Sequence, residues 1–341
     1  MKTSFSFIVL IILLLNARAQ QNVSQYSILF YNVENLFDVR NDSLTNDDEF
    51  TFEGERHWSY KRLNRKLQNT AKVILGSSGW EAPSLVGLCE IENRFVLEKL
   101  LKETPLKSFP YKIIHKESPD FRGIDVALLY NAKQFYPLKY EYYPIVWESG
   151  DTIKSREILH VSGIMGGIDA LHVFVNHWPS RYSGIMETRE LRNRAATLLR
   201  IKTDEVLKNN SDSKIVVLGD FNDQPNDESI KTYLQAKRVP SEPESSGLYN
   251  LSIDWEQLGY GSLKYQSQWF IFDQIIVSAA LLSSKEGLYT QPEWASICKL
   301  PFIFEIDEKY GGLKPKRTFN GFKYNGGFSD HFPVLLRLQV R

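Results

Sequence analysis

Residues 214–223 read KIVVLGDFND: a short β-branched apolar run, Lys214 to Leu218, is broken by Gly219 just before Asp220, Phe221, Asn222 and Asp223. Five residues of that kind ending at a glycine form a buried strand, and the acid and amide beyond it are presented at the strand's mouth. The pattern recurs along the chain. YSILFY (Tyr26 to Tyr31) ends at Asn32, LVGLC (Leu85 to Cys89) ends at Glu90, and LHVFV (Leu171 to Val175) runs into Asn176, His177 and Trp178. Ile124 to Tyr130 and Phe272 to Val277 add strands carrying Asp125 and Asp273, and SDHFP (Ser329 to Pro333) precedes a last strand, Val334 to Val340.

Between these strands the apolar period changes to that of a helix. Ser59 is placed to cap a helix with Tyr60, Leu63, Leu67, Ala71 and Ile74 on one face. Further helices are expected through Phe95, Leu97 and Leu100, over Glu187 to Val206, and over Ser229 to Lys237. The polar stretch Arg40 to Arg56 reads as a surface loop, and Asn46 to Glu49 lack the alternation and glycine of an EF-hand. No short-period repeat and no Gly/Pro/Ser linker interrupts the alternation. The expectation is an α/β (α+β) protein, one large domain over 20–341 in which helices cover mixed sheets.

Hydrophobic residues make up 43% of the 341 and aromatics 13%, enough for a sizeable core. Lys plus Arg total 41, as do Asp plus Glu, so no global field draws the chain to nucleic acid. Lys2, the apolar run Phe5 to Leu15 and Ala17-Arg18-Ala19 form a secretory leader pattern, with cleavage expected after Ala19. The run is short for a membrane span, which needs about 20 residues. Export to a periplasm or the extracellular space is expected, with no stable membrane anchor after cleavage. The two cysteines, Cys89 and Cys298, offer no zinc spacing, and Cys89 sits inside an apolar strand as a small hydrophobe.

Singly, Asn32 or Asp220 could be a turn residue, His177 a satisfied buried imidazole and Asp273 an edge residue. Together they describe something else. Glu90, Asp330, Asn32 and Asp220 are oxygen donors of the kind a hard divalent ion takes. His177 and His331 titrate near neutrality and could move a proton or steady a phosphate oxygen. No GxSxG elbow and no P-loop is present, so metal-assisted attack by water fits better than a covalent route.

On these motifs the chain resembles the endonuclease/exonuclease/phosphatase superfamily, which includes deoxyribonuclease I. GDFND and SDHFPV are the most specific matches; NVENLFD, EIENR, RGIDVALLY and VNHWPSR look most like its secreted or periplasmic bacterial branch. The resemblance implies a four-layer αββα sandwich of two packed mixed sheets. It also implies Mg²⁺ (or Mn²⁺ or Ca²⁺) held by Asn32, Glu90 and Asp330, and His331 as general base oriented by Asp273. Asp220 and Asn222 would position water and phosphate, and His177 would stabilise phosphoryl oxygens or protonate the leaving group. Asp125 stands where some members carry an acid orienting that histidine; it could equally pair with Arg122. Arg181, with Arg189, Arg192, Arg194, Lys314, Lys316 and Arg317, could line a groove for a polyphosphate backbone or be an ordinary solvated face. Trp178 could stack on a base or wedge its loop. The implied activity is hydrolysis of nucleic-acid phosphodiesters, with no obligate protein partner. The alternatives are a phosphatase or a phosphoesterase acting on inositol phosphates or phospholipid head groups, and, against the intact residue set, a non-catalytic binding protein.

Overall fold

The computed structural model describes residues 25–182 and 184–341, so the leader lies outside the described residues. Two seven-stranded mixed sheets form its centre. The first contains β1 (Gln25–Leu36), β2 (Leu85–Ile91), β3 (Tyr111–His115), β4 (Asp125–Asn131), β14 (Leu288–Tyr289), β15 (Ala295–Ile297) and β20 (Val334–Val340). Its order is β14-β20-β1-β2-β4-β3, with β15 also on β20; β1 runs parallel to β2 and antiparallel to β20. The second contains β5 (Phe135–Tyr143), β6 (Ile158–Met165), β7 (Asp169–His177), β8 (Lys214–Asp220), β9 (Ala236–Lys237), β10 (Leu248–Asn250) and β13 (Asp273–Ser278), in the order β5-β6-β7-β8-β13-β10-β9. Three hairpins stand apart: β11 (Leu263–Tyr265) with β12 (Gln268–Phe270), β16 (Phe304–Ile306) with β17 (Leu313–Pro315), and β18 (Phe319–Asn320) with β19 (Lys323–Tyr324).

The sheets meet face to face. A β-carbon built on Gly87 of β2 would lie 2.6 Å from Leu218 of β8 and 3.3 Å from Val175 of β7, which is why that strand carries a glycine in mid-run. Strand alternation sorts the rest. Val216 and Leu218 join the core between the sheets, whereas Ile215 and Val217 face the other way, with Ala195, Ala196 and Leu199 of the long helix α3 (Ile185–Asn209). On the far side, α1 (Tyr60–Ser77) and α2 (Arg94–Lys102) bury Leu63, Leu67, Ile74, Val96, Leu97 and Leu100. Ser59 and Asn93 cap them by accepting from Arg62 N and Val96 N. The short α4 (Ala279–Ser283) follows β13. The expected αββα sandwich is therefore present.

Four details depart from the sequence expectation. Strand β1 does not stop at Asn32; its register slips between Asn32 and Leu36, and Glu34 and Asn35 take φ of 55° and 57°. The same happens on β2 at Glu90, φ 61°, where pairing to β4 slips between Cys89 and Ile91. These are bulges, which turn side chains out of the sheet's alternation while the strand continues. Second, Ser229 to Lys237 is only a short wide helical turn, Ser229–Leu234, because Gln235 turns left-handed (φ 57°) and the chain enters β9. Third, the loop Arg40 to Arg56 is anchored rather than merely solvated: Phe50 is buried and stacked on Phe37 at 4.2 Å. Fourth, β3, β5 and β6 had no clear signal. Strand β5 is an edge strand whose Pro137 sits at a bulge and whose Tyr136, Leu138 and Tyr140 are exposed. No helix among the described residues is long and apolar enough to cross a membrane.

Candidate active site

Strand register assembles the site. His177 at the end of β7 pairs with Asp220 at the end of β8, and Asp220 pairs with Asp273 at the start of β13. Facing them, the bulges of β1 and β2 bring Asn32 and Glu90 together: Asn32 Nδ2 donates to Glu90 Oε1 at 3.2 Å and, across the two sheets, to Asp220 Oδ2 at 3.0 Å. The Asn35 backbone N–H holds the other Glu90 oxygen at 2.9 Å. Left-handed backbone at Glu34, Asn35, Glu90 and Asn222 is costly for residues with a β-carbon, and it concentrates here.

The SDHFP loop closes over this floor. Ser329 Oγ donates to Asn32 O at 2.7 Å and accepts from His331 N at 3.0 Å, stapling the loop to β1. Asp273 Oδ2 lies 2.6 Å from His331 Nδ1, so Nε2 looks into the site, 3.7 Å from Asp220 and 4.0 Å from Asp330. Burial alone would lower the His331 imidazole, but the carboxylates of Asp273, then Asp220, outweigh it and hold it well above its ordinary range. Burial and Asp273, opposed by His331, push Asp220 up to about 6. His177 is driven the other way by burial and by Arg156 and Arg122, and is neutral at pH 7. Its Nε2 lies 3.8 Å from Asp220 and 4.0 Å from Glu90. The cleft thus places a charged imidazole beside a neutral one.

The fold and the site residues agree with a match of residues 27–340 to the endonuclease/exonuclease/phosphatase family. The chain belongs to that family. No curated protein matches it in sequence. Solved structures similar to it include the human Nocturnin catalytic domain with bound sulfate anion (14% identity, 93% of this chain and 95% of that one, TM-score 0.56). Another is D. rerio TDP2 complexed with single strand DNA product (16%, 92% and 99%, 0.52). A third is an endonuclease/exonuclease/phosphatase family protein from Bacteroides thetaiotaomicron (13%, 93% and 96%, 0.53). At these identities the likeness concerns the fold.

Membership of the endonuclease/exonuclease/phosphatase family makes the protein a hydrolase of phosphate esters, in a family that depends on divalent metal. The donors here fit such an ion. Glu90, Asp220, Asp273 and Asp330 crowd one cleft, and ligand atoms of Asp220, Asp273 and His331 lie within 4.8 Å of one another. Asp273 Oδ1 is buried without a partner among the described residues. Carboxylates so placed repel each other unless a cation lies among them.

Other candidates fall outside this constellation. Trp178 is fully buried, its indole N–H donating to Asn176 Oδ1 at 3.1 Å and its ring edge-on to Phe221, so it wedges the loop and offers no face to a base. Asn222 donates to Trp178 O at 3.1 Å and steadies the same loop. Arg181 is tied to Asn222 O, Asp223 and Asp227. Most of the other basic side chains are paired: Arg189 with Glu228, Arg194 with Glu148 and Glu190, Lys314 with Glu305, and Arg192 is buried against Asp223. Asp125 contacts neither His177 nor Arg122. It bonds His115 Nε2 at 2.9 Å and accepts from Ser118 N at 2.7 Å, because the β3–β4 register sets His115 opposite Ala127, the next same-face position to Asp125.

Two supports were missed in the sequence. Arg156, buried, donates to the carbonyls of His177 (3.2 Å) and Trp178 (2.5 Å) and to Asp120 (2.7 Å), fixing the end of β7. Buried Glu34 accepts from Arg317 Nε at 2.8 Å and Thr318 N at 2.7 Å, and Arg317 reaches on to Asp330 Oδ2 at 2.9 Å. The position of Glu34, two residues after Asn32 in NVENLFD, was its one visible clue.

Proposed function

We propose that the chain is an exported, Mg²⁺-dependent phosphodiesterase that hydrolyses nucleic-acid phosphodiester bonds by attack of water, with residues 1–19 as a cleaved leader. The observation that carries the chemistry is the buried Asp273–His331 pair, with Nε2 turned toward Asp220 and Asp330. Held through Nδ1, the imidazole turns Nε2 toward the water, and a cation among Glu90, Asp220 and Asp330 would offset the carboxylates that keep it protonated, freeing Nε2 to take a proton. Glu90, Asn32 and Asp330 would hold the cation, which when bound supplies positive charge against the phosphate oxygens. Asp220 orients the attacking water beside His331. His177, kept neutral, donates from Nε2 to a phosphoryl oxygen or to the leaving group. Asn222 and Arg181 act at one remove, by holding the loop that carries them.

Nucleic acid as substrate is supported by the TDP2 likeness, whose structure carries a single-stranded DNA product. A second reading, a phosphatase or a phosphoesterase of inositol phosphates or lipid head groups, is favoured by one observation: the arginines around α3 are tied up in ion pairs. The deciding experiment assays mature protein on single-stranded DNA, RNA, bis(p-nitrophenyl) phosphate, an inositol polyphosphate and sphingomyelin, with Mg²⁺ and then with chelator. Cleavage of DNA or RNA that stops on chelation and returns with Mg²⁺ supports the proposal. Turnover of monoesters alone, or activity that survives chelation, sinks it.

A further inference from the structure

Beside the catalytic cleft is a cavity of about 180 Å³ between the anchored loop Arg40 to Arg56 and the β17–β18 segment. Its lining includes Asn35, Arg56, Arg317, Phe319 and Gly321. It is continuous with the site through two of these residues. Asn35 holds Glu90 through its backbone N–H, and Arg317 holds Asp330 through one guanidinium nitrogen. Arg317 uses Nε and Nη2 on Glu34 and Asp330; Nη1 has no hydrogen bond among the described residues, and the side chain is 46% exposed. Across the cavity, the Arg56 guanidinium lies 4.9 Å from the ring centres of both Phe50 and Phe319 and 5.4 Å from that of Phe322. Those rings fix its plane, with Glu49 at 3.1 Å and Gly321 O at 3.2 Å. Glu34, the acid in the lining, is already engaged by Arg317, Thr318 and Lys66.

Two guanidinium groups held in place on either side of a small polar cavity recognise an anion with several acceptor oxygens. The anion nearest at hand is the one next to the scissile phosphate. We propose that the Arg56–Arg317 cavity is a subsite for the phosphate neighbouring the one that is cut, which makes the substrate a polynucleotide with at least two linked phosphates. The inference rests on the phosphodiesterase reading above and narrows it. It also removes that reading's main difficulty: the polyanion is gripped by one pocket beside Asp330 and needs no basic groove along α3. The exposed ring of Phe322 at the rim gives the attached nucleoside a surface to lie on.

The test uses a pair of p-nitrophenyl esters, of thymidine 5′-monophosphate and of the dinucleotide pTpT, which differ by one neighbouring phosphate and the thymidine it carries. Wild-type protein with Mg²⁺ is expected to favour the dinucleotide ester in kcat/KM by about tenfold, the worth of one charge-assisted hydrogen bond. Arg56→Met keeps the apolar stem and removes the charge, so that preference should fall to near unity, and Arg56→Lys should restore part of it. Equal kcat/KM on the two esters in wild type, or an unchanged ratio in Arg56→Met, overturns the subsite while leaving the phosphodiesterase reading intact. Hydrolysis of neither ester overturns both. If Arg56→Met impairs phosphate release from an inositol polyphosphate and leaves the nucleotide ratio unmoved, the neighbouring phosphate belongs to a polyphosphorylated ring and the polynucleotide assignment falls. Circular dichroism and a melting curve on each variant separate lost binding from lost fold.

Discussion

The Asp273 carboxylate and the His331 imidazole lie 2.6 Å apart, both buried, although 58 residues separate them in the chain. Strand pairing places the acid, and Ser329, bonded to Asn32 O and to His331 N, places the base. An aspartate in this position fixes which imidazole nitrogen carries the proton. Asp273→Asn keeps the shape and can reverse the tautomer, so kcat on bis(p-nitrophenyl) phosphate should drop about 10²–10⁴-fold, the usual worth of a positioned base. KM should stay close to wild type and circular dichroism should show the fold retained, even where loss of the buried Asp273–His331 charge pair lowers the melting temperature. A variant within a few-fold of wild-type kcat would remove Asp273 from the mechanism.

Trp178 offers a sharper contrast, since its two readings predict different observables. A base-stacking tryptophan would raise KM when truncated and leave stability alone. The ring is instead fully buried, 4.7 Å from Phe221, with its N–H satisfied by Asn176. Trp178→Ala should therefore cost about 3–5 kcal/mol of unfolding free energy, the range for emptying an aromatic site in a core. Chemical denaturation measures this directly. A loss below about 1 kcal/mol accompanied by a raised KM would return the residue to the substrate.

Most of the candidate site was legible because strands advertise themselves by alternation and their mouths by polar residues that break it. The site residues converge because His177, Asp220 and Asp273 sit at strand ends of the second sheet, Asn32 and Glu90 at bulges of the first, and His331 just before β20. What sequence could not supply was orientation. The bulges at Glu34–Asn35 and Glu90 carry no glycine, so nothing marked that β1 and β2 continue past the site, and β3, which brings His115 to Asp125, had no clear signal. Charge was equally opaque. Arg181, Arg189, Arg192 and Arg194 look alike in the chain, yet each meets a carboxylate set by tertiary packing, whereas Arg56 and Arg317, far apart in sequence, share a cavity.

A second histidine pair, on the α3 face of the second sheet and with one member on the same strand as His177, adds to the protein's acid sensitivity. His160 on β6 and His172 on β7 join through Nε2 and Nδ1 at 3.0 Å, with ring centres 5.2 Å apart. His160 Nδ1 lies 3.3 Å from the Tyr143 hydroxyl, which donates to Glu141 at 3.0 Å. Burial, reinforced by His172 and by Lys139 and Lys202 and only partly opposed by Glu141, lowers His160 to about 3. Burial also lowers His172. Between pH 6.5 and 3 the unfolded chain therefore binds a proton at residue 160 that the folded chain refuses, so stability is full above about pH 6.5 and falls as pH falls. One such histidine accounts for about 2 kcal/mol between pH 7 and pH 5, before most carboxylates titrate. Asp220, raised to about 6, and Glu92, raised to about 8, act in the opposite sense over this window, so the histidine's share is read as the difference in slope between wild type and His160→Gln, whose amide does not titrate, in urea denaturation at pH 7, 6 and 5. An identical slope in the variant would place the acid sensitivity elsewhere in the fold.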